Sequence, residues 1–294
     1  MPTSRRPRVS LLVTDLDNTL WDWFAIWHAS FSTLLDVLIN LSGIDGTVLE
    51  HEIRKIHQER GTSEYSHLLQ EIPSLADAHP GADLAEIYGE AISASRSARE
   101  QAMVLYPGVL EALREIRSRG TQIIGYTESQ AFYTTYRVKK LELDGVMDVL
   151  YSPPDHDFPK GVNASQLRTR PDSEYELQVT QHRSTPPGEV KPSARVLETI
   201  IRDASRQCTE VAYVGDSLMK DVAMAQTVGV ADVHAKYGVV VGRDAYALLQ
   251  RVSHWPESDV RNEEALRTKS AITPSIVLER GFYELPDVFD FTSP

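Results

Sequence analysis

The spacing of apolar residues changes abruptly along the chain and predicts two kinds of structure. An uninterrupted apolar run, Val9–Val13, stops just before the charged Asp15, which is typical of a buried strand in a parallel sheet. Residues 21–104 then show helical spacing, whereas short apolar runs alternate with amphipathic segments from Pro107 onward. This alternation predicts an α/β fold built on a parallel sheet.

The helical part begins with an amphipathic segment in which apolar residues recur every three or four positions. The apolar stripe of this first helix consists of Phe24, Trp27, Phe31, Leu34, Leu35 and Leu38. Further helices are predicted over Val48–Gln58, Tyr65–Ile72 and Leu84–Met103, and no strand pattern of similar strength interrupts them. Residues 21–104 are therefore predicted to form an all-helical unit that is inserted after the first strand.

The alternating part supplies most of the predicted core, which comprises residues 1–20 and 105–294. Its predicted strands are Gln122–Tyr126, Val146–Tyr151, Val211–Val214, Val230–Ala235 and Ser275–Leu278. Its predicted helices are Val109–Arg119, Ser129–Leu141, Ser193–Ser205, Leu218–Val228 and Arg243–Val252. Residues 152–189 are rich in Pro, Asp, Ser and charge, so we predict an irregular insertion there, with Tyr175–Val179 as a candidate strand or hairpin arm.

Composition and charge narrow the classes of function. The 294-residue chain carries a formal net charge of −12, so long-range repulsion disfavours a nucleic-acid partner. Its single cysteine, Cys208, cannot form an internal disulfide, which fits a reducing compartment. No apolar stretch approaches the roughly 20 residues that a membrane helix needs. We therefore expect a cytoplasmic protein that binds neither nucleic acid nor membrane.

Acidic residues follow the predicted strands, where ligands gather in open α/β sheets. Asp15 and Asp17 stand two positions apart, so an extended backbone projects both side chains to one side. Two close carboxylates repel unless a proton or a cation lies between them, and Mg²⁺ prefers such oxygen ligands. One carboxylate can attack phosphorus while the other transfers protons. A turn with a helix cap is the alternative explanation for this pair.

A second group of candidates lies far along the chain from the first pair. Asp216 directly follows a predicted strand and Asp221 stands five residues later, so both can offer oxygens to one cation; favourable charge at a helix start is the alternative. Thr127 follows another strand and can either donate a hydrogen bond to phosphate or cap the next helix. Lys191, held rigid by Pro192, can neutralise a phosphoryl group or be an ordinary exposed lysine.

The order of these residues resembles the four motifs of the haloacid dehalogenase-like superfamily. The matching pieces are Asp15-x-Asp17-x-Thr19, Thr127, Lys191 and Gly215-Asp216-x-x-x-x-Asp221. The resemblance covers residues 9–20 and 106–235, and it implies a Rossmann-like parallel sheet flanked by helices. Because a cap follows the first motif in this family, residues 21–104 resemble the helical cap of the phosphoglycolate phosphatase-like subgroup. Candidate substrate contacts, with core packing as the alternative, are Trp21, Trp23, Trp27 and His28.

The resemblance also implies the catalytic roles. Asp15 would be the nucleophile, and Asp17 would be the general acid/base. Thr127 and Lys191 would bind the phosphoryl group. The chain would therefore be an enzyme that acts on a small phosphorylated metabolite.

The implied cofactor is Mg²⁺. Its ligands would be the side chain of Asp15, the backbone carbonyl of Asp17 and the side chain of Asp216. Asp221 would reach the metal through water or orient the site. The backbone amides after Asp15 would face the phosphate, as helix starts favour anions.

These roles lead us to expect a magnesium-dependent phosphatase that hydrolyses a small phosphate monoester through an aspartyl phosphate. Dehalogenases of this superfamily typically lack the second aspartate, so the presence of Asp17 favours phosphoryl transfer. The alternatives are a phosphomutase on the same fold and a non-catalytic binding protein, which loss of Asp15 or Asp17 would have marked. Glu128 departs from the family, which often has Asn there, and it either contacts a cationic part of the substrate or lies outside the pocket.

Overall fold

The computed structural model describes residues 6–155, 170–240, 242–243, 245–256 and 272–294. These residues divide into two compact units. The first, which we call the core unit, comprises the described residues of 6–22, 104–239 and 272–294. The second, which we call the helical unit, comprises the described residues of 23–103 and 240–256.

Strands are found in the core unit. In chain order they are β1 Arg8–Val9, β2 Leu11–Thr14, β3 Gln122–Tyr126, β4 Val149–Ser152, β5 Gln181–Ser184, β6 Val211–Gly215, β7 Ala231–Ala235, β8 Ile276–Leu278 and β9 Asp290–Phe291. Seven of them form one parallel sheet, the main sheet, in the order β5-β4-β3-β2-β6-β7-β8, and β1 pairs with β9 separately. The predicted α/β fold with a Rossmann-like parallel sheet is thus confirmed.

Helices occur in both units. In chain order they are α1 Trp23–Ser42, α2 Gly46–Arg60, α3 Leu68–Glu71, α4 Pro73–Ala78, α5 Leu84–Ile87, α6 Gly89–Ala102, α7 Val109–Ser118, α8 Ala131–Lys140, α9 Ala194–Asp203, α10 Ala223–Val228, α11 Tyr246–Val252 and α12 Leu285–Val288. The predicted helix over Leu218–Val228 starts differently, because its first turn, Leu218–Val222, is a single π-helical turn. Such turns are frequent at functional sites.

The middle strands of the main sheet are buried along their whole length. All four residues of β2 are buried, and so are the five residues of β6, since helices cover parallel sheets on both faces. Helix α9 shows how the cover is built. Its buried side chains recur on one face, and they join the core cluster that contains strand residues such as Val13 and Tyr213; they are Val196, Leu197, Ile200 and Ile201.

The helical unit is all-helical, but its bounds differ from the predicted 21–104. Its core contains the apolar stripe of α1, and it also contains Tyr246, Leu249 and Val252 from α11. The helix predicted over Arg243–Val252 is present, yet assigning it to the core unit was wrong. The physical reason is that this helix buries its apolar face in the cluster of the helical unit.

Helix α1 also corrects the expectation that no segment is long and apolar enough to cross a membrane. Trp23–Ser42 meets that criterion by length and mean hydropathy. A core helix meets the same criterion, and buried residues of α1 belong to the core of the helical unit, among them Trp27, Phe31 and Leu38.

The predicted insertion at 152–189 is less irregular than expected, as far as it is described. Residues 156–169 lie outside the described part of the chain. The expected strand over Tyr175–Val179 is absent from that segment, and β5 follows it at Gln181–Ser184 as the edge of the main sheet. All four residues of β5 are exposed and polar, so its sequence lacks the apolar pattern by which strands are recognised.

Candidate active site

The candidate site lies at the carboxyl edge of the main sheet, where β2 stands between β3 and β6. Asp15 directly follows β2, Thr127 follows β3 and Asp216 follows β6. The backbone N–H of Asp15 donates to the carbonyl of Val214 at 2.8 Å and so continues the ladder between β2 and β6. Because parallel strands end at the same edge, the fold brings together residues that are far apart in sequence.

A buried lysine offsets part of the acidic charge at this edge. The Nζ of Lys191 donates to Oδ1 of Asp15 at 2.5 Å and to Oδ1 of Asp221 at 3.0 Å. The ammonium also lies 4.9 Å from the centroid of the Tyr126 ring, in a cation–π contact. Lys191 is only 4% exposed, so the alternative that it is an ordinary surface lysine is wrong.

The pKa values of these groups reveal an excess of negative charge. Burial raises the pKa of Asp15 to about 7, and the charge of Lys191 opposes this effect only in part. Burial raises the pKa of Asp216 well above its ordinary value, and the neighbouring carboxylates of Asp15 and Asp221 add to the shift. Burial disfavours the ammonium of Lys191, but its two carboxylate partners outweigh that effect and raise its pKa. The cluster therefore holds more carboxylate than its own cation neutralises.

Three of these acidic residues form a group that fits a divalent cation. Asp15, Asp216 and Asp221 each offer a carboxylate oxygen, and these oxygens all lie within 4.8 Å of one another. Within the part of the chain that the structure describes, no donor is hydrogen-bonded to the carboxylate of Asp216. The carboxylate of Asp216 therefore needs a positive partner. Because all the ligands offered are oxygens, the group fits Mg²⁺. The carboxylate of Asp17 does not belong to this group.

The second aspartate of the first motif is instead held by donors of the protein. Oδ1 of Asp17 accepts hydrogen bonds from Trp21 Nε1 at 2.7 Å and from Arg137 Nη1 at 3.5 Å. Oδ2 of Asp17 accepts hydrogen bonds from Ser129 Oγ at 2.5 Å and from Thr127 Oγ1 at 3.4 Å. The explanation of Asp15 and Asp17 as a mere capped turn is wrong, because no helix follows them directly and each carboxylate has distant partners.

Thr127 links the strand end to the loop that follows it. Its N–H donates to the carbonyl of Tyr151 at 3.0 Å, and its Oγ1 accepts a hydrogen bond from the N–H of Ser129 at 3.1 Å. The same hydroxyl donates to Asp17. Because α8 begins only at Ala131, Thr127 closes a local turn and does not cap the helix.

Glu128, which departs from the family pattern, is paired within the site. Its Oε2 accepts from Lys220 Nζ at 2.6 Å, and its Oε1 accepts from the N–H of Lys191 at 3.0 Å. One carboxylate thus connects the loop after β3 with the segment that carries Lys191 and with the π-helical turn after β6. Pairing removes the conflict that a carboxylate near a phosphate would otherwise create.

Asp221 is oriented by its own neighbours. Its Oδ1 accepts from the hydroxyl of Tyr213 at 2.9 Å and its Oδ2 accepts from the N–H of Ser217 at 3.1 Å. Glycine is required at position 215, because a Cβ there would lie 2.3 Å from Cγ of Asp221. Glycine is also required at position 238, because a Cβ there would lie 1.7 Å from the carbonyl oxygen of Asn18, a residue of the first motif.

Sequence reasoning missed several residues that contact the predicted ones. They are Ser129, Arg137, Tyr213 and Lys220. For Trp21 substrate contact and core packing were both open, and the structure buries it fully with its Nε1 donating to Asp17. Tyr213 precedes the Gly215-Asp216 motif by two residues, so strand alternation was a usable signal for it. Arg137 gave no such signal, because it lies in the middle of α8.

Comparisons with known proteins agree with this architecture. A family model described as haloacid dehalogenase-like hydrolase matches residues 9–229. No curated protein matches the sequence. Among solved structures, the chain is similar to an HAD phosphatase from Thermococcus onnurineus, with 15% identity, 97% of this chain and 100% of that chain covered, and a TM-score of 0.54.

Two further solved structures show the same fold. A 2-haloacid dehalogenase from Pseudomonas syringae pv. Tomato DC3000 has 18% identity and a TM-score of 0.53, with 95% of this chain and 97% of that chain covered. A magnesium-bound HAD-hydrolase, YfnB, from Bacillus subtilis has 12% identity and a TM-score of 0.50, with 96% and 99% covered.

Proposed function

The chain belongs to the haloacid dehalogenase-like hydrolases, and we propose that it is a magnesium-dependent phosphatase that hydrolyses a small phosphate monoester through an aspartyl phosphate on Asp15. The observation that carries the proposal is the division of labour between two carboxylates. Asp15 lies against Lys191 within the acidic cluster, whereas Asp17, two residues later, is held outside it by separate donors. This difference supports a role as nucleophile for Asp15 and a role in proton transfer for Asp17.

The first half of the reaction transfers the phosphoryl group to the protein. A carboxylate oxygen of Asp15 forms a bond to phosphorus while the bond from phosphorus to the ester oxygen breaks. Asp17 gives its proton to that oxygen, so the alcohol leaves in neutral form. Lys191 and Thr127 donate to the phosphoryl oxygens, which lowers the cost of bringing an anion to a carboxylate.

The second half releases phosphate. Asp17, now ionised, takes a proton from a water molecule while the water oxygen bonds to phosphorus. The bond between phosphorus and the oxygen of Asp15 breaks, and both aspartates return to their starting states. Lys191 remains beside Asp15 throughout, so the nucleophile regains its partner when phosphate leaves.

The acidic cluster is the place for the proposed cofactor. Asp15, Asp216 and Asp221 would hold Mg²⁺, with the backbone carbonyl of Asp17 as the further ligand that the family resemblance implies. When bound, the ion supplies positive charge that offsets the clustered carboxylates and the phosphoryl oxygens. The excess of carboxylate over lysine at this site supports that assignment.

Phosphoryl transfer is favoured over dehalogenation by Asp17. A dehalogenase needs a carboxylate nucleophile but no proton for its halide leaving group, whereas an alcohol leaving group needs one. The chain keeps a second carboxylate and surrounds it with donors from Trp21, Ser129 and Arg137.

The test is a panel of phosphate esters with the full chain and Mg²⁺, measured by release of inorganic phosphate. We expect turnover of at least one small monoester and none of 2-chloropropionate, and we expect Asp15→Asn to abolish it. Release of halide without phosphate would contradict the proposal. An isomerised ester in place of free phosphate would identify a mutase.

We further propose that the chain works in the cytoplasm on a small phosphorylated metabolite. The single cysteine supports a reducing compartment. Because the net charge of −12 repels a phosphate ester, a cation bound at the site would provide the local attraction. Fractionation of the source cells, with the phosphatase activity followed, would check the location.

A further inference from the structure

The carboxylate of Asp17 has two edges that differ in the chemistry of their donors. At Oδ1 both donors are N–H groups, from Trp21 and Arg137. At Oδ2 both donors are hydroxyls, from Ser129 and Thr127. This separation matters because the two kinds of donor respond differently when the carboxylate takes up a proton.

Indole and guanidinium groups can donate hydrogen bonds but cannot accept them. A proton placed on Oδ1 of Asp17 would therefore point toward N–H groups that have no means of receiving it. A hydroxyl donates and accepts, and its hydrogen rotates freely. Ser129 and Thr127 can turn their hydrogens away, accept from a protonated Oδ2, and give their own hydrogen bonds to a phosphoryl oxygen.

The two N–H donors to Oδ1 of Asp17 come from buried side chains. Trp21 is fully buried, and its Nε1 lies 2.7 Å from Oδ1 of Asp17. Arg137 is 1% exposed, so its guanidinium has given up water and depends on protein partners. The contacts of Arg137 include Asp17 and the ring of Tyr133, whose centroid lies 5.7 Å from Cζ. Helix α8 carries this arginine, and the loop before the same helix carries Ser129.

We propose that Arg137 and Trp21 are positioning residues that hold Oδ1 of Asp17, so that Oδ2, the edge bordered by Ser129 and Thr127, is the one that faces the ester. This inference rests on the proposed phosphatase function. Neither residue touches the reacting atoms. Without them the carboxyl group of Asp17 is free to rotate about its χ2 bond, and a misplaced proton no longer reaches the leaving oxygen.

A misplaced acid has a distinctive kinetic signature. Esters with a poor alcohol leaving group need the proton of Asp17 when the bond to phosphorus breaks, whereas 4-nitrophenyl phosphate has a leaving group that departs as an anion. The parameter to compare is kcat/KM, because it reports the step in which the ester bond breaks even when hydrolysis of the aspartyl phosphate limits kcat. A purely structural role for Arg137 would lower kcat/KM for all esters by the same factor.

The experiment measures kcat/KM of the full chain with Mg²⁺ on three probes: 4-nitrophenyl phosphate, phenyl phosphate and the best alkyl phosphate of the panel. The variants are Arg137→Met, Arg137→Lys, Trp21→Phe and, as the benchmark for a lost acid, Asp17→Asn. General acid catalysis is worth about 10²–10⁴-fold, so we expect Arg137→Met to lose about 10–100-fold on the alkyl phosphate and less than about 3-fold on 4-nitrophenyl phosphate. Arg137→Lys should recover part of the loss.

Arg117→Met is the matched control, since Arg117 forms an ion pair with Asp148 at 2.7 Å in the same unit. This variant should leave unchanged the ratio of kcat/KM on the alkyl phosphate to kcat/KM on 4-nitrophenyl phosphate. Trp21→Phe keeps the inference testable if Arg137→Met does not fold, because it removes the other donor to Oδ1 and should produce the same dependence on the leaving group. Equal losses on all three probes would overturn the inference and leave the phosphatase standing. A wild-type chain that hydrolyses none of the probes would overturn the phosphatase itself, and the inference with it.

Discussion

Asp15 and Asp17 are two residues apart, yet the core unit surrounds them in opposite ways. Around Asp15, three carboxylates meet one lysine, and burial, to which the neighbouring carboxylates add, raises the pKa of Asp15 to about 7. Around Asp17, donors from four side chains meet one carboxylate. The first environment holds more carboxylate than its lysine neutralises and fits the proposed Mg²⁺, whereas the carboxylate in the second has its hydrogen-bond donors within the protein. Residues of one short motif can therefore differ in whether the fold alone supplies all of their polar partners.

Removing Asp15, the proposed nucleophile, should have the largest effect on function. We expect Asp15→Asn to abolish phosphate release, because an amide cannot form the aspartyl phosphate. The fold should be retained, since the amide keeps the shape of the side chain and relieves part of the crowded negative charge. Phosphate release and circular dichroism measured on the same preparation check this. Turnover at the wild-type rate would sink the proposed mechanism.

Removal of the metal should have the second-largest effect, and it should act through the environment of Asp15. We expect EDTA to stop turnover and Mg²⁺ to restore it, because only the cluster around Asp15 lacks enough positive charge. Added Mg²⁺ should also raise the thermal unfolding midpoint. A ligand that binds only the folded protein, at a free concentration of about 100 times its Kd, stabilises the fold by about 2.7 kcal/mol. Activity and melting curves on one EDTA-treated sample provide the check. Full activity in the chelator would remove the metal from the mechanism.

Loss of the buried lysine should destabilise the first environment. Lys191→Met leaves Asp15 and Asp221 without their ammonium partner, and breaking a buried ion pair on one side costs about 3–5 kcal/mol. Chemical denaturation in EDTA measures the loss. The control is Lys220→Met, whose pair with Glu128 is partly exposed and should contribute about 1 kcal/mol or less. Equal losses in the free energy of unfolding for the two variants would contradict the conclusion that the cluster around Asp15 lacks positive charge.

The smallest effect is expected around Asp17. Ser129→Ala removes one donor, but Oδ2 keeps Thr127 and Oδ1 keeps both of its N–H groups. A single hydrogen bond contributes about 0.5–1.5 kcal/mol, or up to about 3 kcal/mol when the acceptor is charged, so the loss should stay below that of Lys191→Met. Denaturation of both variants side by side tests the order. A larger loss for Ser129→Ala would reverse the comparison on which these predictions rest.

The environment of Asp15 was largely predictable from the sequence. Asp15, Asp216 and Thr127 each follow a strand with a strong apolar pattern, and parallel topology then brings strand ends to one edge. The predicted core helices α7 and α9 were recognised by the same kind of periodicity. These features depend on local sequence plus one rule of topology, so no knowledge of side-chain packing was needed.

The environment of Asp17 was not predictable in the same way. Thr127 follows a strand and was predicted, but the other donors, Trp21, Ser129 and Arg137, occupy positions that have no sequence pattern of their own. Ser129 lies in the loop before α8 and Arg137 lies within α8, so their approach to Asp17 depends on tertiary packing that the sequence pattern does not display. Likewise, β5 was missed because an exposed edge strand carries no apolar run, and the residues after 240 were assigned to the wrong unit because amphipathicity does not say which core a helix covers.

The assignment of α11 to the helical unit has a consequence for how the chain folds as it is synthesised. His57 Nδ1 donates to the carbonyl of Val252 at 2.6 Å, and Arg54 Nη1 donates to the carbonyl of Gln250 at 2.9 Å. Helix α2 therefore contacts residues that are synthesised about 200 residues later. Such distant contacts raise contact order and slow folding. While the intervening segment is made, the apolar surface of the helical unit that α11 will cover is exposed to solvent, and such transiently exposed surface is prone to aggregation.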